Sequence, residues 1–318
     1  MKVVVHYDQP ELFMDLLETR FPEVGFTCCR SYAELPAVIE EHKPDAFWGI
    51  IFAGRIDYPR AALLNSPSLT WISVGGSGTD HLAPWDPAAL TVTNSAGVSA
   101  PVMAQYVLCS ILSFSLGFPA FATAKREQRW VDGRVKPITG QTVAVAGLGK
   151  TGQAIAHSLS SQGMRVIGVR ANPAPTDHVE RVYGFAELHT ALSEADFVVL
   201  SLPLTTLTLH CMDEAAFAAM KLGAVLVDVS RGGVVKGDAL VASLQSGHLA
   251  GAALDVFETE PLPPDSPLWT QDNVIITPHC SAVFDGWERR SVGIFGDNLA
   301  RRLNGEALEN IVDPARGY

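Results

Sequence analysis

Short apolar runs alternating with amphipathic stretches organise most of the chain. Five strand-forming runs come first, at residues 2–7, 26–30, 45–52, 69–75 and 90–94. Between the early ones, PELFMDLLETRF and YAELPAVIEEH place apolar residues three or four apart, the spacing of one helix face. Such alternation predicts parallel strands covered by helices on both faces. A second series follows at 142–147, 165–170, 196–202, 224–230, 251–257 and 273–278, and six strands with intervening helices make a complete doubly wound sheet. A last long helix is expected over roughly 283–304. The boundary between the series falls near residue 98, inside NSAGVSAP. With the final helix folded back onto the first series, residues 1–97 and 285–318 form one discontinuous domain and 98–284 the other.

One stretch interrupts the alternation. No charged residue occurs from Pro87 to Ala124, and its apolar part, VLCSILSFSLGFPAFATA, is about long enough to cross a bilayer. Ser110, Ser113 and Ser115 punctuate it, Gly117 and Pro119 break it, and basic residues flank one side only. A helix buried between domains or subunits is therefore expected, with no membrane partner. The 318 residues suit two cores, and 47% hydrophobic with 18% charged residues is an ordinary globular composition. A formal net charge of −11 argues against a nucleic-acid partner, because a phosphate backbone requires a basic footprint. Cys28, Cys29, Cys109, Cys211 and Cys280 have neither framework nor metal-ligand spacing, which points to a reducing compartment. The opening MKVVVHYDQPE holds too short an apolar run for a signal peptide, so the expected location is cytoplasmic.

Chemistry enters at VAVAGLGKTGQAIA, where Gly147, Gly149 and Gly152 form a G-x-G-x-x-G array. The pattern alone is weak, but here it closes an expected strand and opens an expected helix. That context lets the first glycine make a tight turn, the second admit a pyrophosphate and the third seat helix on strand. The helix N-terminus then offers amides and a positive dipole end to phosphates. The competing reading is a tight turn without ligand. Where a dinucleotide unit selective for an unphosphorylated ribose carries an acid, about 20 residues on, VIGVRANP has Arg170. A guanidinium pairs with a 2′-phosphate that a carboxylate would repel. NADP(H) is therefore the expected cofactor, with NAD(H) the second option; a solvated surface arginine is the alternative.

Arg231 follows one expected strand in SRGG, Glu260 follows the next in LDVFETEPLP, and His279 ends a third in NVIITPHCSA. All three thus belong to the carboxyl edge of a doubly wound sheet, where ligands bind. Together they suit reduction of a 2-keto acid. Arg231 would grip the substrate carboxylate and polarise the C2 carbonyl, His279 would donate the proton as hydride arrives, and Glu260 would orient the ring and favour its charged form. Taken singly, each is open to a surface reading, as an ion pair or an acidic turn.

GLGKTG, SRGG, ALDVFETEPLP and ITPHCSA, in this order and spacing, resemble the D-isomer-specific 2-hydroxyacid dehydrogenases over essentially the whole chain. PLPPDSPLW, TPHCSAV and VDPARGY are similar to the glyoxylate/hydroxypyruvate reductase A-like branch, which Arg170 also fits. The resemblance implies an α/β architecture of two Rossmann-like domains, a flavodoxin-like substrate domain built from both chain ends and a doubly wound dinucleotide-binding domain. It implies a homodimer packed through the cofactor domain, and the roles given above for Arg231, Glu260 and His279. The cofactor set it suggests is Gly147, Leu148, Gly149, Lys150, Thr151, Gly152, Arg170, Leu202, Pro203, Val229, Ser230, Asp255 and Ser281, with Asp255 near the nicotinamide carboxamide. Two positions depart from the family's usual pattern, Cys280 after the histidine and Gln105 in the helix after the first linker.

On the substrate side, SVGGSGTDHL offers Gly75 and Gly76, whose amides are expected to bind the substrate carboxylate as a nest, or else make a flexible turn. Asp80 and His81 read as turn or cap residues. Arg55 faces the cleft or solvent, and Trp130 reads as an interface aromatic. No H-x-x-x-H or cysteine pair at ligand spacing occurs, so no metal is expected. Two alternatives stay open. One is a dehydrogenase for a larger 2-keto acid or a phosphoglycerate-type substrate, the other a non-enzymatic dinucleotide-sensing protein like the corepressors that resemble these enzymes.

Overall fold

The computed structural model describes residues 1–50, 58–79 and 81–314. Arg55, Asp80 and the last four residues of the VDPARGY tail lie outside the described residues. The chain divides into two compact units, Met1–Val98 with Phe284–Tyr318, and Ser99–Val283.

The first unit contains β1 (Lys2–His6), α1 (Met14–Arg20), β2 (Gly25–Cys29), α2 (Leu35–His42), β3 (Ala46–Gly49), α3 (Arg60–Leu64), β4 (Trp71–Val74) and β5 (Thr91–Asn94). Its sheet runs β2-β1-β3-β4-β5 with every pair parallel, the flavodoxin-like order. Successive residues of β1 serve opposite faces. Val3 and Val5 join Phe13 and Trp48, whereas Val4 joins Leu35, Phe47 and Ile72. Two buried faces explain why the strand reads as an unbroken apolar run. The helix Trp287–Leu303 covers the first face with Val292, Phe295 and Leu299, all fully buried at helical spacing, and Phe295 stacks on Trp71 at 5.0 Å.

The second unit opens with α4 (Ala100–Ser115) and α5 (Phe118–Arg126), followed by β6 (Thr142–Ala146), α6 (Lys150–Ser161), β7 (Arg165–Arg170), β8 (Arg181–Gly184), α7 (Leu188–Glu194), β9 (Phe197–Leu200), α8 (Glu214–Ala219), β10 (Ala224–Asp228), α9 (Gly237–Gln245), β11 (Leu249–Leu254) and β12 (Val274–Ile276). The helix Trp287–Leu303, α10, belongs to the first unit. The parallel sheet is ordered β12-β11-β10-β9-β6-β7-β8. Strand order reverses between β6 and β9, which makes their carboxyl ends the switch point. Seven strands replace the six expected. The added one, β8, has an exposed arginine and partly exposed neighbours, so its sequence lacks an apolar run; pairing with β7 and burial of Tyr183 create it.

The long apolar segment is not one helix. It bends by 61° between α4 and α5, where Gly117 takes φ +76, and among the described residues no single helix is long and apolar enough to cross a membrane. Ala104, Val107 and Ile111 of α4 pack with Ile155 and Leu159 of α6, so the apolar run serves the core of its own unit.

Candidate active site

The glycine array folds as its spacing requires. Gly147 takes φ +96, and a Cβ there would overlap the backbone oxygen of Ser201. A Cβ on Gly152 would strike Gly147 O, so α6 can approach β6 only as glycine. Around Gly149 nothing lies within 4 Å of a built Cβ, and the residue sits at the N-cap of the twelve-residue α6. Open space, a missing side chain and the unsatisfied amides of a helix start together fit a pyrophosphate. Leu148 fills a different place: its side chain is 2% exposed and packs over Gly168, leaving only its backbone to face a ligand. Leu202 and Val229 are likewise core side chains, and Thr151 leans toward Met103. Arg170 ends β7 half-buried, with no hydrogen bond or ion pair to another side chain among the described residues.

Three adjacent strands present the chemical groups. Arg231 lies in the turn after β10, Glu260 in the loop after β11 and His279 after β12. His279 Nδ1 meets Glu260 Oε2 at 2.8 Å, with side-chain exposures of 31% and 25%, sheltered yet open to a small molecule. The second carboxylate oxygen of Glu260 accepts the Phe257 amide at 3.0 Å, which fixes the acid that fixes the ring. His279 itself takes φ +52, a left-handed backbone uncommon for a residue with a side chain. Its amide donates to Asp255 O at 2.9 Å and to Thr277 O at 3.1 Å. Arg231 Nη1 donates to Ser230 O at 2.8 Å. The next residue, Gly232, must lack a side chain because Phe257 O passes where a Cβ would stand, so the Arg231 turn is pressed against the loop that carries Glu260.

Asp255 is 1% exposed, and its carboxylate accepts internal donors: Thr277 Oγ1 at 2.5 Å, Cys280 N at 2.9 Å and Ser281 N at 3.0 Å. Its carboxylate therefore builds the His279 loop from within, which departs from the expected contact with a cofactor carboxamide. Ser230 and Ser281, expected at the cofactor, are also buried, and Ser230 Oγ donates to Asp228 Oδ1 at 2.5 Å. Beyond the sequence reading, Tyr106 of α4 hydrogen-bonds Thr277 Oγ1 at 2.8 Å, extending the Asp255 network to a helix. Burial pushes the Tyr106 phenol up to about 12. Two aspartates of one strand edge, Asp228 and Asp255, look alike in sequence; only the fold shows both to be buried.

In the first unit, Gly75 requires correction. Its amide donates to Gly49 O at 2.8 Å as the ladder continues beyond β4, and its carbonyl accepts Ser291 Oγ at 2.7 Å. That amide is taken, so it does not bind a substrate carboxylate. A Cβ on Gly76, by contrast, would meet nothing within 4 Å. His81 packs edge-on against Tyr58, and Trp130 is 94% exposed. Gln105 and Cys280 are both exposed. Among the described residues no group of three or more His, Cys, Asp or Glu is placed to hold a metal ion.

Residues 108–281 match the family model described as D-isomer specific 2-hydroxyacid dehydrogenase, NAD binding domain. A D-3-phosphoglycerate dehydrogenase from Methanocaldococcus jannaschii is 33% identical over 80% of this chain and 49% of its own length. A glyoxylate reductase from Korarchaeum cryptofilum is 32% identical over 70% of this chain and 69% of the relative. The chain thus spans about half the length of the first relative. The crystal structure of a D-isomer specific 2-hydroxyacid dehydrogenase from Xanthobacter autotrophicus Py2, in complex with NADPH and MES, superposes with a TM-score of 0.85 at 31% identity, covering 99% of both chains.

Proposed function

Because the chain belongs to the D-isomer-specific 2-hydroxyacid dehydrogenase family, we propose that it reduces a small 2-keto acid, glyoxylate or hydroxypyruvate, to the D-2-hydroxy acid. The observation that carries this reading is the 2.8 Å contact of His279 with Glu260, on loops adjoining the Arg231 turn. Bound NADPH supplies the hydride. Gly147, Gly149 and the start of α6 hold its pyrophosphate, and Arg170 takes the 2′-phosphate. Arg231 binds the substrate carboxylate and draws electron density from the C2 carbonyl. His279, protonated, gives the carbonyl oxygen its proton from Nε2, while Glu260 fixes the ring through Nδ1 and compensates its charge. In the first unit, the backbone at Gly76 is the remaining candidate for an anion-binding nest. A homodimer packed through the second unit, in a reducing cytoplasm, belongs to the same proposal, as does a substrate domain made from residues 1–97 and 285–318.

The phosphoglycerate reading draws on the 33% identical relative. It needs cations for a phosphate in the first unit, and Arg60 is engaged there with backbone carbonyls, Nε with Leu82 O at 2.9 Å and Nη2 with Pro84 O at 2.5 Å. That favours a substrate without phosphate. The test is NADPH oxidation with glyoxylate, hydroxypyruvate, larger 2-keto acids and a phosphorylated keto acid, repeated with NADH. Fastest turnover of a small keto acid with NADPH supports the proposal. Tight cofactor binding without turnover of any keto acid overturns it in favour of a dinucleotide sensor.

A further inference from the structure

The edge that carries Arg231 and His279 holds two buried acids, and they sit side by side. Asp228 ends β10 and Asp255 follows β11; the Asp255 amide donates to Asp228 O at 3.0 Å. Both are 1% exposed. Their surroundings differ in kind. Asp255 receives three donors shared between its two oxygens. Asp228 receives Ser230 N at 2.9 Å and Ser230 Oγ at 2.5 Å, both on Oδ1. The charged groups that act on it are Asp255 from the β11 side and Arg231 from its own turn, and the Cys211 thiol from the loop after β9 also feels its charge. Two negative charges side by side in a dry site are unfavourable, so a proton belongs on the acid with fewer donors, Asp228.

From this geometry we infer that Asp228 is a positioning residue for Arg231, holding the Ser230–Arg231 turn as a neutral acid so that the guanidinium charge stays available to the substrate carboxylate. Two hydrogen bonds link them: Asp228 Oδ1 holds Ser230, and Ser230 O holds Arg231 Nη1 at 2.8 Å. Ionised, Asp228 becomes a competing anion two bonds of that chain away from the guanidinium. Burial, ahead of the Asp255 charge, raises the Asp228 carboxyl to about 7 against the pull of Ser230 and Arg231, which puts the change within the working range of pH. The inference rests on the keto-acid reading for its substrate, although the protonation of Asp228 does not.

Two measurements separate the inference from that reading. Infrared difference spectra of the wild-type chain against Asp228→Asn, at about pH 6 and about pH 8, report a protonated buried carboxyl directly. A carboxylic C=O band present in the wild type at the lower pH, weakened at the higher and missing in the variant is expected; its absence overturns the inference whether or not the chain is an enzyme. Kinetically, KM for keto acid and for hydroxy acid should both rise about tenfold between those two pH values in the wild type, following the proton occupancy of one group titrating near 7. Asp228→Asn keeps the acceptor for Ser230 without the charge, and should flatten both KM profiles while restoring tight binding at the higher pH. An unchanged KM profile in that variant overturns the inference, as does wild-type KM in a folded Asp228→Ala.

Discussion

At the scale of single residues, the proposed chemistry divides among groups with separable effects. His279→Ala should lower kcat by ~10²–10⁴ while NADPH affinity is kept, the usual loss for a general acid; stopped-flow or steady-state turnover beside cofactor titration measures both. Arg231→Ala is expected to weaken substrate affinity and turnover together, and unaltered kinetics would remove its role. Arg170→Asp should shift the kcat/KM ratio of NADPH to NADH toward NADH, because an acid repels the 2′-phosphate and suits a ribose hydroxyl. The pairing of His279 with Glu260 was legible in the sequence, since both follow consecutive strands on one edge. The structural role of Asp255 was not, because a strand-end aspartate has the same letter whether it faces a ligand or ties down a loop.

At the scale of elements, the loop after β12 depends on Asp255. Its carboxylate accepts Cys280 N and Ser281 N, the two amides that follow His279 at φ +52. Asp255→Asn replaces one acceptor oxygen with a donor and should reduce kcat more than it raises the KM for NADPH; a pure cofactor defect would contradict this assignment. Tyr106→Phe removes the hydrogen bond to Thr277 and should cost about 1 kcal/mol in urea unfolding. Alternation of apolar runs revealed most strands, because two-faced burial leaves that imprint. It missed β8, whose stability comes from its neighbour, and it joined α4 to α5, whose apolar content continues through the Gly117 bend.

For the whole molecule, the buried Asp228 couples stability to pH. Its folded-state pKa lies above the unfolded value, so the folded chain binds the extra proton between the two. Stability from this group is present at low pH and is lost as pH rises through about 7. Thermal unfolding of Asp228→Asn should therefore show a gain over the wild type at about pH 8 that shrinks toward about pH 5. Each unit owns its core, with separate clusters on the two faces of each sheet.

Sequence by itself determined the two series of parallel strands, the glycine turn at the start of α6 and the alignment of Arg231, Glu260 and His279 on one strand edge. These follow from periodicity, from glycine's freedom of backbone and from the rule that successive parallel strands end on the same side. Tertiary structure alone decided which polar atoms were already engaged. Gly75 lends its amide to Gly49, Arg60 its guanidinium to Leu82 and Pro84, and Asp255 its carboxylate to the His279 loop. A hydrogen bond joins atoms far apart in the chain and leaves no period behind, so its partner becomes visible only once the strands lie beside one another.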